Sequence, residues 1–371
     1  MRRRGRFERR HRLPRLHGYR LVLTIVCVVL TVLSVWSFTL FSKETSSLLT
    51  QSAADSWRGE SEDRFAQVSV FLPVDGTKTT DDIRAFRQSL EDAFVQDSIE
   101  APEGGSLYTD AYSGQTSLSV SSDSGSATVT AIGVGGDFFL FHPLPLRSGN
   151  YLTGEDYMAD RVVLDEQTAW ALFGSSDAAG MEVTINGVTY PVAGVVARED
   201  DHASREALTA EDSQNAKTAT ALIFMSYEAL NRISETPIDC YEIVLPDPVS
   251  GYGKKLVADN FSAGNGAIVQ NTDRYSVSRL WTVLTGFGTR VMSKQGVIYP
   301  YWENAARMTE GYAALYLLLG VLFALMPVVC FVIVLVKLVK REIQRAAYSA
   351  AHAIEEKVEE NKQKHYVKGG I

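Results

Sequence analysis

The sequence predicts a mixed α+β domain held between two transmembrane helices. Two charge-free stretches, residues 21–41 and 311–336, contain 21 and 26 residues, and each is long enough to cross a hydrocarbon layer of roughly 30 Å as a helix. Between them, strand-like and helix-like patterns alternate over residues 65–275. The charge is also unevenly distributed, because residues 1–20 carry +8 and residues 337–371 carry +3 in a chain whose total is −8.

Each charge-free stretch has an alternative interpretation. The first could be a cleaved signal peptide, but its basic leader is long, its apolar run exceeds the usual length, and no small-x-small site directly follows Phe41. Either stretch could be a buried core helix, but neither has a polar face. We therefore interpret both as membrane spans.

The charge distribution predicts the orientation of the chain in the membrane. Residues 1–20 contain nine Arg and one Glu, and residues 337–371 contain eight Lys and Arg and five Glu. By the positive-inside rule, both ends are cytoplasmic. Residues 21–336 therefore carry −19, all of it in an external domain. This acidity argues against nucleic acid as a partner and could favour cationic ligands, although it is equally typical of a soluble surface.

The cysteines predict no disulfide in the external domain. Cys27 and Cys330 lie within the two spans, which leaves Cys240 as the single external cysteine. Its surroundings, "PIDCYEIVL", are typical of a strand, so Cys240 is interpreted as a small core residue rather than a catalytic thiol.

The external domain begins with a strand, a helix and two more strands. "FAQVSVFLP" (65–73) is strand-like, and Ile83, Phe86, Leu90 and Phe94 share one face of the following helix. "SLYTDAYSG" and "SATVTAIGV" are strand-like and are separated by the Ser- and Gly-rich turn "SSDSGS".

Residues 160–196 have the most explicit local signals in the chain. Asp165 is a suitable N-cap for a helix over Glu166–Phe173, and Gly174 can end it. Two alternating strands follow, joined by Asn186-Gly187, a pair that tolerates the positive φ angles of a tight turn. The segment therefore predicts a short helix and a β-hairpin.

The remaining external residues predict a charged loop at 198–217, a strand and helix in "ATALIFMSYEALNRI", a strand in "CYEIVLP" and a helix in "SGYGKKLVADNFSAG". Beyond Tyr275, a helical pattern places Val277, Leu280, Leu284 and Phe287 on one face. The order of elements predicts an α+β domain with a β-rich insertion at about 150–230 and helical stalks on either side.

No catalytic motif is present. "GYGKKL" lacks the spacing and the hydroxyl of a phosphate-binding loop, and neither G-x-S-x-G nor H-E-x-x-H occurs. The segment "EDDHASRE" could hold a divalent cation or could be a solvated acidic loop; its candidate ligands are Glu199, Asp200, Asp201, His202 and Glu206. We predict no catalytic residue, no cofactor and no metal site.

The spans contain no ionisable residue, which argues against an ion or proton relay. Gly320 and Ala324 form a small-xxx-small pair that could seat another helix. The tail helix has a narrow apolar stripe, which favours docking on a partner, although a solvated helix is the alternative; the stripe contains Ile343, Ala347, Ala351, Ile354 and Val358.

Residues 137–196 resemble the extracellular core domain of MacB-type ABC transporter permeases, relatives of FtsX and the lipoprotein-release permeases. The similar features are the aromatic pair Phe138-Phe139, "PLPLRSGNYL", "VVLDEQTAWALFG" and the pattern D-x-x-G-x-x-V-x-I-N-G-V-x-Y-x-V-x-G-V-V from Asp177 onward. The resemblance implies a MacB-like core over residues 65–275. In that family, this domain moves or grips and performs no chemistry.

The tail resembles the family in a second place. Family permeases follow their second span with a pattern like R-x-x-E-I-G, which leads into the contact with the ATPase. Lys340, Arg341, Glu342 and Ile343 fit this pattern, and Gln344 replaces the glycine. With Ala347, these four residues are the candidates for coupling to a partner. Family permeases have four spans, whereas this sequence contains two.

The leading hypothesis is a non-catalytic membrane subunit of a MacB-like ABC system. The resemblance implies a separate ATPase and a full permease as partners, with self-association and membrane lipid as further contacts. A two-span ligand-binding or sensor protein is the alternative, and an ectoenzyme is the least supported class. The predicted organisation is a basic arm (1–20), a first span (21–41), a stalk (42–64), the core (65–275), a second stalk (276–310), a second span (311–336) and a helical tail (337–371).

Overall fold

The computed structural model describes residues 18–73, 75–101, 105–153, 160–210, 221–286, 293–294 and 296–368. Several predictions fall partly outside the described residues. They include the basic arm at residues 1–17, the charged loop at 211–217, the start of the next strand at 219–220, Phe287 with the second stalk at 287–292 and 295, and the tail at 369–371. The chain divides into a helical unit, Met1–Phe41 with Leu315–Ile371, and a globular unit, Ser42–Ala314.

The described residues contain ten α-helices and a 3₁₀ turn at Leu49–Gln51. The helices are α1 (Gly18–Thr45), α2 (Ala53–Arg58), α3 (Thr80–Gln96), α4 (Phe138–Phe141), α5 (Glu166–Phe173), α6 (His202–Ala210), α7 (Tyr227–Ser234), α8 (Tyr252–Asn260), α9 (Val277–Thr285) and α10 (Tyr301–Lys368).

Ten strands form one mixed sheet, and two more form a separate hairpin. The strands are β1 (Phe65–Phe71), β2 (Thr109–Ser121), β3 (Ser126–Gly136), β4 (Leu146–Gly149), β5 (Val162–Asp165), β6 (Glu182–Ile185), β7 (Val188–Val196), β8 (Leu222–Ser226), β9 (Cys240–Pro246), β10 (Ala267–Gln270), β11 (Ser293–Lys294) and β12 (Val297–Ile298).

The sheet has the order β10-β1-β9-β2-β3-β8-β5-β7-β4, with β6 paired to β2 and β7. The pairs β3–β8 and β5–β7 are parallel, and the other pairs are antiparallel. This confirms the predicted α+β fold class. The β-rich segment at about 150–230 contributes its strands to the same sheet as the rest of the domain.

The helix and hairpin predicted in residues 160–196 are confirmed. The Asp165 side chain accepts a hydrogen bond from the Thr168 backbone N–H, and Gly174 ends α5 in the left-handed conformation. Asn186 and Gly187 have φ angles of 50° and 79°, as the turn between β6 and β7 requires. The local sequence predicts this segment correctly because each cap or turn residue lies at the end of the helix or in the turn whose backbone it determines.

The two faces of β1 pack against different helices. Val68 and Val70 contribute to a cluster with α3 and α8, whose buried residues include the predicted face of α3, Ile83, Phe86, Leu90 and Phe94. Phe71 points to the opposite face and packs in a cluster with Trp302 near the start of α10. Side chains alternate along a strand, so Gln67 and Ser69 share that second face with Phe71.

The charged loop predicted over residues 198–217 is wrong for its described central part, which is the helix α6. Ala203, Ala207 and Leu208 are buried in the core. The Asp201 side chain accepts a hydrogen bond from the Ser204 backbone N–H at 2.8 Å and caps the helix. Two of the buried residues are alanines, which add little hydrophobicity to the segment. The many charged residues around them therefore led to the prediction of a loop.

The two segments predicted as stalks, 42–64 and 276–310, belong to the globular unit. Gln67 on β1 accepts a hydrogen bond from the Ala53 N–H at 3.1 Å and donates one to the Thr50 carbonyl at 2.8 Å. These bonds fasten the 3₁₀ turn and α2 to the sheet. Trp302 is also buried in the core, so both segments pack against the domain.

The helical unit consists of α1 up to Phe41 and α10 from Leu315. Both helices contain stretches long and apolar enough to cross a membrane, and the most apolar part of each is only 11% and 6% buried. A core helix of a soluble protein would be mostly buried, so these apolar surfaces fit a membrane protein with an external domain.

Candidate functional site

The start of α10 is fastened to the globular unit by buried ion pairs. The Arg274 guanidinium donates two hydrogen bonds of 2.8 Å to the two carboxylate oxygens of Glu303 and a third to Glu310. Arg307 donates to Glu303 at 2.7 Å. We call Arg274, Glu303, Arg307 and Glu310 the ionic junction. It joins the loop after β10 to the first three turns of α10.

Burial and charge act in opposite directions at the junction. Burial alone would raise the pKa of the Glu303 carboxyl, but the attraction of Arg274 and then Arg307 outweighs it and lowers that pKa. Burial would lower the pKa of Arg274, but Glu303 and Glu310 raise it. Arg274 and Glu303 therefore stay ionised near neutral pH. Removing one of them leaves an uncompensated buried charge, which is strongly destabilising.

A line of hydrogen bonds leads from the junction across the sheet. Arg274 donates to the Asn271 side-chain oxygen at 3.3 Å, and the Asn271 amide donates to the Ser69 hydroxyl at 2.8 Å. Ser69 donates to Glu242 at 2.8 Å, and the other oxygen of Glu242 lies 2.5 Å from His142 Nε2. We call Asn271, Ser69, Glu242 and His142 the polar track.

The sheet register explains why the track is continuous. Ser69 on β1 and Glu242 on β9 are direct cross-strand partners, so their side chains lie on the same face. Asn271 directly follows β10, and its backbone N–H donates to the Gln67 carbonyl on β1 at 2.8 Å. The three strands thereby present polar side chains in a row to the face that α10 covers.

His142 ends the track beside α10. Its ring stacks on Phe138 with centroids 4.3 Å apart and lies 4.4 Å from the Trp302 ring. His142 Nδ1 and Trp302 Nε1 are buried and have no hydrogen-bond partner among the described residues. A neighbouring contact completes the attachment, because the Tyr301 hydroxyl donates to the half-buried Glu199 carboxylate at 3.1 Å.

The five coupling candidates lie far along α10 and are all exposed: Lys340, Arg341, Glu342, Ile343 and Ala347. Glu342 accepts a hydrogen bond from Arg345 at 2.7 Å. Ile343 and Ala347, four residues apart on one helix, share a face, and 63% of Ile343 is exposed. Their role in partner contact remains a prediction.

Gly320 lies at the contact between α1 and α10 within the helical unit. The Ser34 hydroxyl donates to the Gly320 carbonyl at 2.9 Å, and a Cβ atom at Gly320 would lie 3.1 Å from the Phe38 ring. Ala324 is half-buried. The absence of a side chain at Gly320 thus lets Phe38 of the same chain approach.

The acidic side chains of residues 199–206 contact different partners. Glu199 binds Tyr301, Asp201 caps α6, and Asp200 accepts from Arg205 at 3.3 Å. Across the described ranges, no group of three or more His, Cys, Asp or Glu side chains could hold a metal ion. The cation interpretation of this segment therefore gains no support from the structure.

Sequence reasoning missed the ionic junction. One signal was available, because Glu303, Arg307 and Glu310 are spaced four and three residues apart just before the second span. Such spacing places them on one helix face. No sequence pattern indicates that they pair with Arg274. In the polar track, Ser69 and Glu242 are 173 positions apart, so no local pattern links them either.

The chain was compared with known proteins. The MacB-like periplasmic core domain family matches residues 21–250. No curated protein matches the chain. The periplasmic region of MacB from Actinobacillus actinomycetemcomitans is similar over 61% of this chain and 94% of its own, with 16% identity and a TM-score of 0.40.

A second solved structure, the extracellular domain of the ABC-type transporter YknZ from Gram-positive bacteria, is similar over 56% of this chain and 99% of its own, with 14% identity and a TM-score of 0.36. The assignment rests on the family match, which spans more than half of the chain. The protein therefore belongs to the family that carries the MacB-like periplasmic core domain.

Proposed function

We propose that this protein is a non-catalytic membrane subunit of a MacB-like ABC transport or mechanotransmission system. Its family supports a membrane component of such a system. In the proposed arrangement, α1 and α10 cross the membrane, both termini are cytoplasmic, and the globular unit lies outside. Its proposed partners are a separate ATPase and a full permease.

The observation that carries the proposal is the reach of α10. Its first turns are held to the sheet by Arg274 and Glu303, and the same helix continues to Lys368. Its far part presents Arg341 and Ile343 to solvent. A buried, multiply hydrogen-bonded ion pair resists separation, so a displacement of α10 is passed to the sheet at the junction.

A sensor is the second candidate. The globular unit has an open cleft of about 640 Å³, lined by residues that include Arg274. A ligand bound there would contact the loop that anchors α10, and the helix would report its presence to a cytoplasmic partner. The same junction serves both functions, but the direction of the signal is opposite.

Affinity purification of the full chain in mild detergent distinguishes the two. We expect an ABC ATPase and a four-span permease among the co-purifying proteins. Co-purification of a signalling kinase without an ATPase would contradict the ABC proposal and favour the sensor.

A further inference from the structure

Helix α9 has an apolar strip that faces solvent. It buries Leu280 and Val283, as an amphipathic helix does, yet Val277 is 67% exposed and Trp281 is 64% exposed. These two residues are four positions apart and therefore adjacent on the helix surface. Together they form one continuous apolar strip on the exposed side of the helix, and such a strip is a candidate contact surface.

Helix α9 begins at the cleft described above. That cleft is lined by both Thr45 and Ser276, and Ser276 directly precedes α9. Leu49, which also lines the cleft, is 52% exposed.

Two cations flank the same helix. Arg279 on α9 is exposed. Burial is the largest cause that lowers the pKa of Lys254 on α8, and the nearby positive charge of Arg279 is the second. Among the ion pairs found in the described residues, neither side chain has a carboxylate partner. Two neighbouring uncompensated cations are unusual in a domain that carries a large negative charge.

We propose that α9 is a membrane-surface anchor, with Val277 and Trp281 inserted at the headgroup level and Arg279 and Lys254 contacting phospholipid phosphate. The proposal rests on the proposed membrane insertion of the chain. Trp prefers the membrane interface because one part of its ring is apolar and its N–H needs a polar partner. Basic residues beside such a strip add attraction to anionic lipids.

The geometry of α9 is compatible with this contact. Its exposed face between the apolar strip and Arg279 contains only Ser278, Thr282 and Thr285. These side chains are small and let the helix backbone lie close to a flat surface. The long side chains of Trp281 and Arg279 can then reach the same plane from the two flanks.

The test measures tryptophan fluorescence of the full chain in lipid nanodiscs that contain phospholipid nitroxide-labelled near the headgroup. Trp36 lies in the first span and reports whether the chain is inserted. In a Trp36→Phe background, we expect the labelled lipid to quench emission, and Trp281→Phe to abolish most of that quenching. The matched control, Trp170→Phe on α5, removes a Trp that is 56% exposed and should leave the quenching unchanged.

The charge contribution is tested in the same assay. In anionic nanodiscs, the variant Lys254→Glu with Arg279→Glu should reduce the quenching of Trp281, whereas zwitterionic lipid should show little difference. Far-UV circular dichroism verifies that each variant is folded.

The outcomes separate this proposal from the proposed function. If Trp36 is not quenched, the chain is not inserted in the membrane. That result would contradict both the proposed function and the α9 anchor. If Trp36 is quenched but Trp281→Phe changes nothing, the anchor alone is overturned. Protection of Trp281 from an aqueous quencher only when a co-purifying protein is present would assign α9 to a protein interface and would also overturn the lipid contact.

Discussion

Arg274 is the residue on which the attachment of α10 depends most. Its side chain is 4% exposed and contacts two carboxylates. Replacing it by Met keeps the volume and removes the charge, which leaves Glu303 and Glu310 buried with Arg307 as the remaining cation of the junction.

We expect Arg274→Met to lower the free energy of unfolding by about 3–5 kcal/mol. The measurement is denaturant unfolding of the full chain in detergent. The control is Arg205→Met, which removes an exposed pair with Asp200 and should cost less than about 1 kcal/mol. Similar losses from both variants would show that the junction does not hold α10.

Glu199 gives a pH dependence with a defined sign. Burial, the largest cause, raises the pKa of the Glu199 carboxyl above its ordinary value. The folded state therefore holds this proton more tightly than the unfolded state does. Its contribution to stability is complete below the ordinary Glu pKa of about 4.3 and is lost as the pH rises through the folded pKa.

Glu199→Gln imitates the protonated carboxyl and should remove this loss. The difference in Tm between the variant and the wild type is expected to grow as the pH rises from about 4 and then to level off. The pKa of the Glu303 carboxyl is lowered in the folded state, so its effect has the opposite sign. Its contribution to the stability of the fold is lost as the pH falls. The exposed Glu60→Gln serves as control for the loss of one surface charge; a flat profile for Glu199→Gln would refute the assignment.

Among the elements, the β6–β7 hairpin is specified most directly by its own sequence. Gly187 has a φ angle of 79°, and nothing lies within 4 Å of a Cβ added there. Gly187→Val should therefore cost only backbone strain, about 1–3 kcal/mol, with the fold retained.

The matched variant Gly187→Asn should cost much less, because Asn tolerates the left-handed conformation. Thermal unfolding of the two variants tests this difference. If Gly187→Val kept full stability but abolished partner recovery, the hairpin would be a contact surface instead of a structural unit.

The elements also show how far a single sequence leads. The helix α5 and the hairpin were predictable because Asp165, Gly174 and Asn186-Gly187 act on their immediate neighbours. The helix α6 was not, because Ala203 and Ala207 bury little apolar area, while the charged residues around them indicate a loop.

The candidate site was predictable only in part. The tail residues are candidates from resemblance alone and stay a prediction. The ionic junction was not predicted, because Arg274 pairs with partners 29 and 36 positions away. Pairing over such distances is decided by the sheet topology, which brings the loop after β10 to the start of α10. No local signal reports it.

For the whole molecule, topology is the first property to test. With both termini cytoplasmic, protease added outside right-side-out vesicles should cleave within residues 42–310 and spare tags at both ends. In inverted vesicles, the tags should be lost. Digestion of an N-terminal tag from outside would contradict the hairpin arrangement.

We propose that the C-terminal part of α10, which is cytoplasmic in the proposed arrangement, couples the external domain to an ATPase. Changing Ile343 and Ala347 to Asp would place two carboxylates in an apolar contact, where unpaired charge is costly. The control, Ser349→Asp with His352→Asp, adds two carboxylates to the opposite side of the same exposed helix.

The decisive measurement is the amount of ATPase subunit that co-purifies with each form of the full chain. The account predicts recovery with the wild type and the control, and loss with Ile343→Asp/Ala347→Asp, while the thermal stability of the globular unit is unchanged. Equal recovery from all three forms would mean that the tail is a solvated helix, and would contradict the coupling.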